Sequence, residues 1–343
     1  MSELRKDPII DRWVIIATER SRRPNEFQPE NIALPIGFNP FAPGHEDRTP
    51  AEIAAWGRPE GAPENSPGWQ VRVVPNKFPV LDRDAALDSQ GLGMFDLMNG
   101  VGAHEVIIEN PRPDWDMATA THEEMIAVLD AYISRMKELQ NDERFRYILI
   151  FRNVGTAAGA TLAHPHSQII ALPITPREVK EKLDAAREYY DRKKRCVFAD
   201  VIRQELAMGD RVVEESEHFV VLSPFAARFP FELQIYPRRH CHDFALIEPQ
   251  ERQALAGVLS RSLQRIQKTL GNPAYNLMIH TAPVQRKNAG RADDGSDNAQ
   301  DFLWHIEILP RLTKVAGFEW GTGFYVNPVA PENATKFLRE VDV

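Results

Sequence analysis

The sequence predicts an α+β fold in which one αβ module occurs twice, each copy an antiparallel sheet with helices on one side, the two fused into one unit. Three observations predict it. An order of strand, helix, strand, strand read between residues 102 and 173 recurs between 231 and 309. The helical stretches carry recognisable N-terminal caps, and the strands are short, apolar and bounded by Gly, Pro and Asn. The division falls between 1–173 and 174–343.

Asp7 to Thr18 reads as a strand with Trp13-Val-Ile-Ile-Ala17 as its apolar core. Residues 25–66 are rich in Pro, Asn and Gly and read as a long ordered excursion. Gln70 to Pro79 alternates as a strand and ends in a turn, and Gly102 to Asn110 is another strand. Thr121-His-Glu-Glu124 is a capping box opening a helix to about Asn141, with Met125, Leu129, Ile133 and Met136 as its core stripe. Tyr147 to Asn153 is the apolar, β-branched run of a buried strand. Thr175-Pro176-Arg177-Glu178 repeats the capping pattern for a helix to about Lys194, and a second helical piece follows from Phe198 to Met208.

Strands then fall at Arg211 to Glu215, Phe219 to Ser223 and Phe231 to Pro237, a long helix at Pro249 to Leu270, and strands at Tyr275 to His280 and Phe302 to Leu309. Gln285 to Gln300 is almost devoid of apolar residues and reads as a mobile loop or lid. A last helix starts at Pro331.

Composition excludes several classes. At 343 residues, 43% hydrophobic and 26% charged, the chain is a globular protein with ample core. A formal net charge of −8 argues against nucleic acid or an anionic membrane as bulk partner, so a phosphate-bearing ligand needs a local basic patch. No run approaches the ~18 apolar residues of a membrane span, and the start has no apolar segment of signal-peptide length, so a cytoplasmic location is expected. Cys196 and Cys241 stand far apart with no metal-like spacing.

Chemistry concentrates at Gly159-Ala-Thr-Leu-Ala-His164-Pro-His166-Ser-Gln168. On a strand, His164, His166 and Gln168 alternate onto one face. The small-residue loop Gly155 to Gly159 lets a ligand's phosphates approach backbone N–H groups beside that face. Pro165 cannot donate to a sheet ladder, which points to an edge or bulge.

These residues, with Asn153, Gly159 and Thr161 upstream, resemble the signature of the galactose-1-phosphate uridylyltransferase family, a branch of the histidine-triad superfamily, so each module is expected to be histidine-triad-like. The resemblance implies that His166 attacks the α-phosphorus of a nucleoside-diphosphate sugar, that the His164 backbone carbonyl holds its other ring nitrogen, and that Gln168 donates to a non-bridging oxygen. It implies substrate contacts from Arg20 and Arg23 to the diphosphate, from Asn76, Asn153, Gly159 and Thr161 to the nucleotide sugar, and from Gly317-Phe318-Glu319 to the sugar end. For Asn76, a bond to its own backbone is the competing reading.

The resemblance also implies metals. Many members carry Cys-x-x-Cys in an N-terminal zinc site, but here the stretch reads Asn39-Pro-Phe-Ala-Pro-Gly44, and a further His is replaced around Pro113. Only His164 survives of four ligands, so this site is expected to be lost. In the second half, His280, His305, Glu307 and Glu178 are candidates for a second, structural metal, and a hydrogen-bonded polar cluster is the alternative. No cofactor is required for the chemistry.

The expected reaction is ping-pong exchange of UMP between UDP-glucose and a hexose 1-phosphate such as galactose 1-phosphate, in a homodimer. Two alternatives stand beside it: an ADP-glucose phosphorylase or adenylyltransferase using the same nucleophile, and a histidine-triad nucleotide-binding hydrolase. Ser167, Ala171-Leu-Pro173 and Trp320 to Gly323 resemble the ADP-glucose phosphorylase branch.

Overall fold

Alternating apolar residues build most of this molecule, because strands with one face on a helical layer must turn every second side chain toward it. The computed structural model describes residues 1–20, 23–27, 37–284 and 298–343, with the side chains of Arg20 and Asn298 outside the description. The loop expected over 285–300 falls, for 285–297, outside the described residues.

In chain order the first half holds β1 (Glu3–Lys6), β2 (Trp13–Ile16), β3 (Ala54–Trp56), β4 (Val71–Pro75), β5 (Ser89–Leu92), β6 (Phe95–Met98), β7 (Ala103–Ile108), α1 (His122–Gln140), β8 (Tyr147–Val154) and β9 (His166–Leu172). The second holds α2 (Arg177–Lys193), α3 (Val197–Met208), β10 (Val212–Glu215), β11 (Phe219–Leu222), β12 (Leu233–Pro237), α4 (Pro249–Leu270), β13 (Tyr275–His280), α5 (Asn298–Asp301), β14 (His305–Pro310), α6 (Gly317–Thr322), β15 (Tyr325–Asn327) and α7 (Pro331–Arg339).

Ten strands form one sheet in the order β10-β11-β12-β14-β13-β8-β9-β7-β4-β3, all neighbours antiparallel. The order is a palindrome of roles about the β8–β13 seam. On either side the strand after the long helix lies at the seam, the next strand in sequence lies beside it, and the strand before the helix follows. The fold is α+β, and the helices α1 and α4 pack together over one face, burying Met125, Leu129, Leu255 and Leu259 against Ile169, Ala171, Ile306 and Ile308.

Several local expectations change. Asp7 to Thr18 is not one strand: Asp7 Oδ1 accepts from the N–H groups of Ile9 and Ile10, turning the chain between β1 and β2, and β2 lies between β1 and β15 in a separate small sheet. At α1, Thr121 caps and Glu124 closes the box as expected. At α2 the cap is Pro176, which has no side-chain donor or acceptor, so no capping box forms there. The motif strand is no edge: β9 lies between β8 and β7, and Pro165 precedes it, with its carbonyl accepting from Glu109 N–H.

Beneath the start of β9 lies a fully buried polar network. Glu109 pairs with Arg152, Nε to Oε2 at 2.9 Å, and also accepts from Ser167 Oγ and, at 3.1 Å, from Tyr132 OH of α1. Arg152 donates onward to Tyr275 OH. Burial and the Glu109 charge push the Tyr132 hydroxyl well above its ordinary pKa, so it remains a donor. Removing one partner of such a pair strands the other charge. Glu109→Gln is therefore expected to cost ~3–5 kcal/mol in a urea unfolding series. Glu181→Gln, at the exposed Arg177–Glu181 pair of α2, should cost about 0.5 kcal/mol or less.

Candidate active site

His166 opens β9 with its ring half-buried on the sheet face opposite α1 and α4. Alternation sends Ser167 and Ile169 into the helical side, and His166 and Gln168 away from it. His166 Nδ1 donates to the His164 carbonyl at 2.7 Å, which leaves Nε2 with the lone pair. Phe41 packs edge-on against the ring at 5.4 Å between centroids. Burial lowers the His166 pKa, and the hydrogen bond to the His164 carbonyl opposes it only in part, so the neutral ring is favoured.

His164 packs edge-on against the same Phe41, at 6.1 Å between centroids. It precedes the strand and is buried, with Nε2–H donating to Asn110 O at 2.8 Å and Nδ1 accepting from Asn39 Nδ2 at 2.9 Å. A short-chain amide on a loop gave no sequence signal for this role. Asn39 stands where the resemblance places a cysteine ligand, and both ring nitrogens of His164 are engaged by hydrogen bonds. The donor set around His164 therefore does not fit a tetrahedral zinc.

Gln168 Oε1 meets His104 Nε2 at 2.7 Å, a contact that sequence reasoning missed because His104 sits alone on β7. Asn153, on β8, lies level with His166, since Phe151 two residues earlier is opposite Gln168. Its Oδ1 accepts from Asn276 at 2.8 Å, leaving its NH2 as the donor. Asn76 makes the backbone turn weighed against function, its Oδ1 accepting from Phe78 N–H at 2.9 Å, while its NH2 reaches His104 Nε2 at 3.1 Å. Beside them is a cavity of about 520 Å³ lined by Asn76, Val80, Arg83, Gly102, His104 and Glu105. Gly159 takes φ +86° to close the turn Thr156–Ala158, a conformation that favours glycine, and Thr161 is exposed in the loop that follows.

The remaining expected contacts are not gathered here. Arg23 is exposed and starts a turn that leads into Phe27, buried on the helical side of the sheet against Phe231. Arg20 ends the turn after β2, and its side chain lies outside the described residues. Gly317, Phe318 and Glu319 form the short helix α6 before β15, with Phe318 half exposed and Glu319 Oε2 accepting from Ala316 N–H. Neither segment lies on the strands that carry His166.

In the second half the same registers set His280, His305 and Glu307 where the first half has Asn153, His166 and Gln168. His305 Nδ1 donates to Leu303 O at 2.9 Å, two residues back, as His166 does. Three ligand atoms of this set lie within 4.8 Å of one another. Both Glu307 oxygens, however, are paired with cations, Lys182 Nζ at 2.6 Å and Arg228 at 2.6 Å, and Lys182 Nζ stands 3.3 Å from His305 Nε2. A divalent ion does not fit among these ammonium and guanidinium groups. Glu178 is exposed and outside the cluster, one turn of α2 before Lys182. The face is closed by α2 and α3, which pack Ala186, Phe198 and Ile202 over Tyr236 and Phe302.

Comparison with known proteins shows the family of the chain and the likeness of its fold. The profile of the galactose-1-phosphate uridyl transferase N-terminal domain matches residues 57–176, and that of the C-terminal domain matches 182–324. The chain is 34% identical to ADP-glucose phosphorylase of Arabidopsis thaliana over 99% of this chain and 93% of that one. It is 29% identical to galactose-1-phosphate uridylyltransferase of Thermotoga maritima over 100% and 99%. The solved Arabidopsis thaliana ADP-glucose phosphorylase with bound ADP-glucose superposes with a TM-score of 0.81 at 32% identity, covering 100% of both chains. With two matching domain profiles and full-length relatives, the chain belongs to the galactose-1-phosphate uridyl transferase family of nucleotidyltransferases.

Proposed function

We propose that His166 is the nucleophile of a double displacement that carries a mononucleotide from a nucleoside-diphosphate sugar to a second phosphate. The observation that carries this reading is the Nδ1–H bond of His166 to the His164 carbonyl, which aims an unprotonated Nε2 away from the core. Nε2 forms a bond to the α-phosphorus, and the bridging P–O bond breaks with its electron pair leaving on the sugar 1-phosphate. The acceptor's phosphate oxygen then attacks the same phosphorus and the pair returns to Nε2. The nucleotidyl-imidazolium keeps its proton on Nδ1 throughout, where the carbonyl stabilises it.

ADP-glucose is our first choice of donor, because the relative with 34% identity over nearly the whole chain is an ADP-glucose phosphorylase. UDP-glucose with a hexose 1-phosphate is the second, supported by the full-length likeness to the Thermotoga maritima uridylyltransferase. Neither reading routes a step through a metal. A cytoplasmic location accords with this chemistry, and among the described residues no helix is long and apolar enough to cross a membrane.

A homodimer is part of the proposal. Arg23 and Glu319 sit away from the strands of their own His166, so a second copy is the source that would complete the site. Apolar surface is available for the contact: Phe78, Val80, Leu92, Met94 and Phe95 are 66–87% exposed around the β5–β6 hairpin.

Three outcomes are expected. Donor labelled in the α-phosphate, either ADP-glucose or UDP-glucose, should leave acid-labile label on the wild-type protein and none on His166→Ala, and the donor that labels names the base. No label from either donor would refute the reading. Since burial lowers the His166 pKa, the ring is already neutral near its ordinary value of about 6.5, and the acid limb of the single-turnover rate should fall below that pH. Finally, mixing inactive His166→Ala with inactive Arg23→Ala protein should restore about a quarter of wild-type activity after subunit exchange, as expected when each heterodimer holds one intact site.

A further inference from the structure

We propose that His104 is a positioning residue that turns the Gln168 amide so that its NH2 group faces the phosphoryl group on His166. The inference rests on the reading of His166 as nucleophile and goes beyond it by assigning the group that sets the polarity of its neighbour. His104 stands on β7 beside β9; Val106 is opposite Gln168, so His104 is one pleat further along the same face. Its Nε2 is 2.7 Å from Gln168 Oε1.

The proton on the imidazole decides what Gln168 presents. Val80 N–H points at His104 Nδ1 at 3.4 Å, which makes Nδ1 the acceptor and leaves the proton on Nε2. Nε2–H then donates to Gln168 Oε1. A glutamine amide has one acceptor end and one donor end, so fixing the oxygen on His104 commits the NH2 to the other side. His166 precedes Gln168 by two residues on the same face, so that NH2 is directed where a phosphoryl oxygen must lie. In the opposite tautomer a lone pair on Nε2 would meet the amide, Gln168 would turn over, and its carbonyl oxygen would face the anionic phosphate.

Asn76 tests the assignment from the other side. Its Oδ1 is held by Phe78 N–H, so only its NH2 faces His104, at 3.1 Å from the same Nε2. One ring nitrogen cannot donate to Gln168 and accept from Asn76 together. The shorter contact and the Val80 N–H both select donation to Gln168, which leaves the Asn76 NH2 available at the cavity that Asn76 and His104 line.

The experiment is rapid-quench measurement of His166 nucleotidylation with whichever of ADP-glucose and UDP-glucose labels the wild-type protein. His104→Phe keeps the bulk and removes the donor, and His104→Gln restores an N–H. Expected results are a fall of ~10- to 100-fold in the labelling rate constant for His104→Phe with little change in donor KM, and recovery of most of it in His104→Gln. The double variant His104→Phe/Gln168→Ala should be no slower than Gln168→Ala alone, because the two act as one unit. Multiplicative losses in the double variant, an effect on KM alone, or a His104→Gln protein as slow as His104→Phe would each overturn the proposal while leaving His166 as nucleophile. Absence of label on the wild-type protein would overturn both.

Discussion

The hydrogen bond from His166 Nδ1 to the carbonyl of His164 is the constraint on which the rest of the site depends. An imidazole accepts phosphorus only through a free lone pair, and that bond decides which nitrogen has one. A carbonyl is no better fixed than its own residue, and His164 is fixed at both ring nitrogens, by Asn39 Nδ2 and Asn110 O. Asn110 is in turn tied to Glu124, which accepts from its side-chain amide at 3.2 Å and also closes the capping box of α1. A contact at the N-terminus of α1, on the far face of the sheet, thus braces the segment whose carbonyl holds the His166 ring on the near face. The same carboxylate serves a helix cap and the approach to β9.

Duplication explains why this arrangement exists twice and is open once. His305 repeats the ring-to-carbonyl bond of His166, yet it is 1% exposed, stacked near His280 and enclosed by Phe198, Tyr236 and Phe302. What differs is the covering layer. Helices α2 and α3 seal the outer face of the second half, while among the described residues the first half has there the cluster of Phe41, Trp69, Ala55 and Leu162 with Val74, Val106 and Ile108. A carboxylate at Glu307, where the first half has neutral Gln168, is held by Lys182 and Arg228. Burying that charge is tolerable because both oxygens are paired. Strand β13 of the second half forms the seam that braces Asn153 through Asn276.

The long helices α1 and α4 and the strands β8, β9 and β13 were legible in the sequence because their apolar periodicity and caps act locally. The His-Pro-His motif was legible for the same reason: its spacing is short. Asn39, Asn110 and His104 were not, since each acts through a contact made only when distant segments meet across the sheet, and none has a neighbour that marks it. His164 differs from His166 in burial. Alternation places the two together, and both rings pack against Phe41, but the strand begins at His166, and the ring before it is buried and held at both nitrogens. Pro165 looked like an edge residue, whereas the missing N–H costs nothing at a position before the ladder starts.

The charge balance of the site follows from these neutral supports. Arg152, the cation whose field reaches the His166 ring, is held beneath β9 by Glu109 and does not face the substrate side. What the strands set around His166 are amides: Gln168, Asn153 and, further along, Asn76. Such dipoles are fixed before the reaction and need little reorganisation as charge moves. A diphosphate brings negative charge into a chain whose net charge is −8, so binding in the ground state calls for cations that these strands do not supply. In the proposed covalent step the imidazole itself becomes the cation, directly against the phosphoryl group, and its Nδ1–H bond to a carbonyl strengthens. On that proposal arginines from outside these strands are needed most for capture of the substrate, and the ring and its carbonyl for the covalent step. Within one copy these groups stand apart, Arg23 at the turn that leads into Phe27 and His166 at the start of β9.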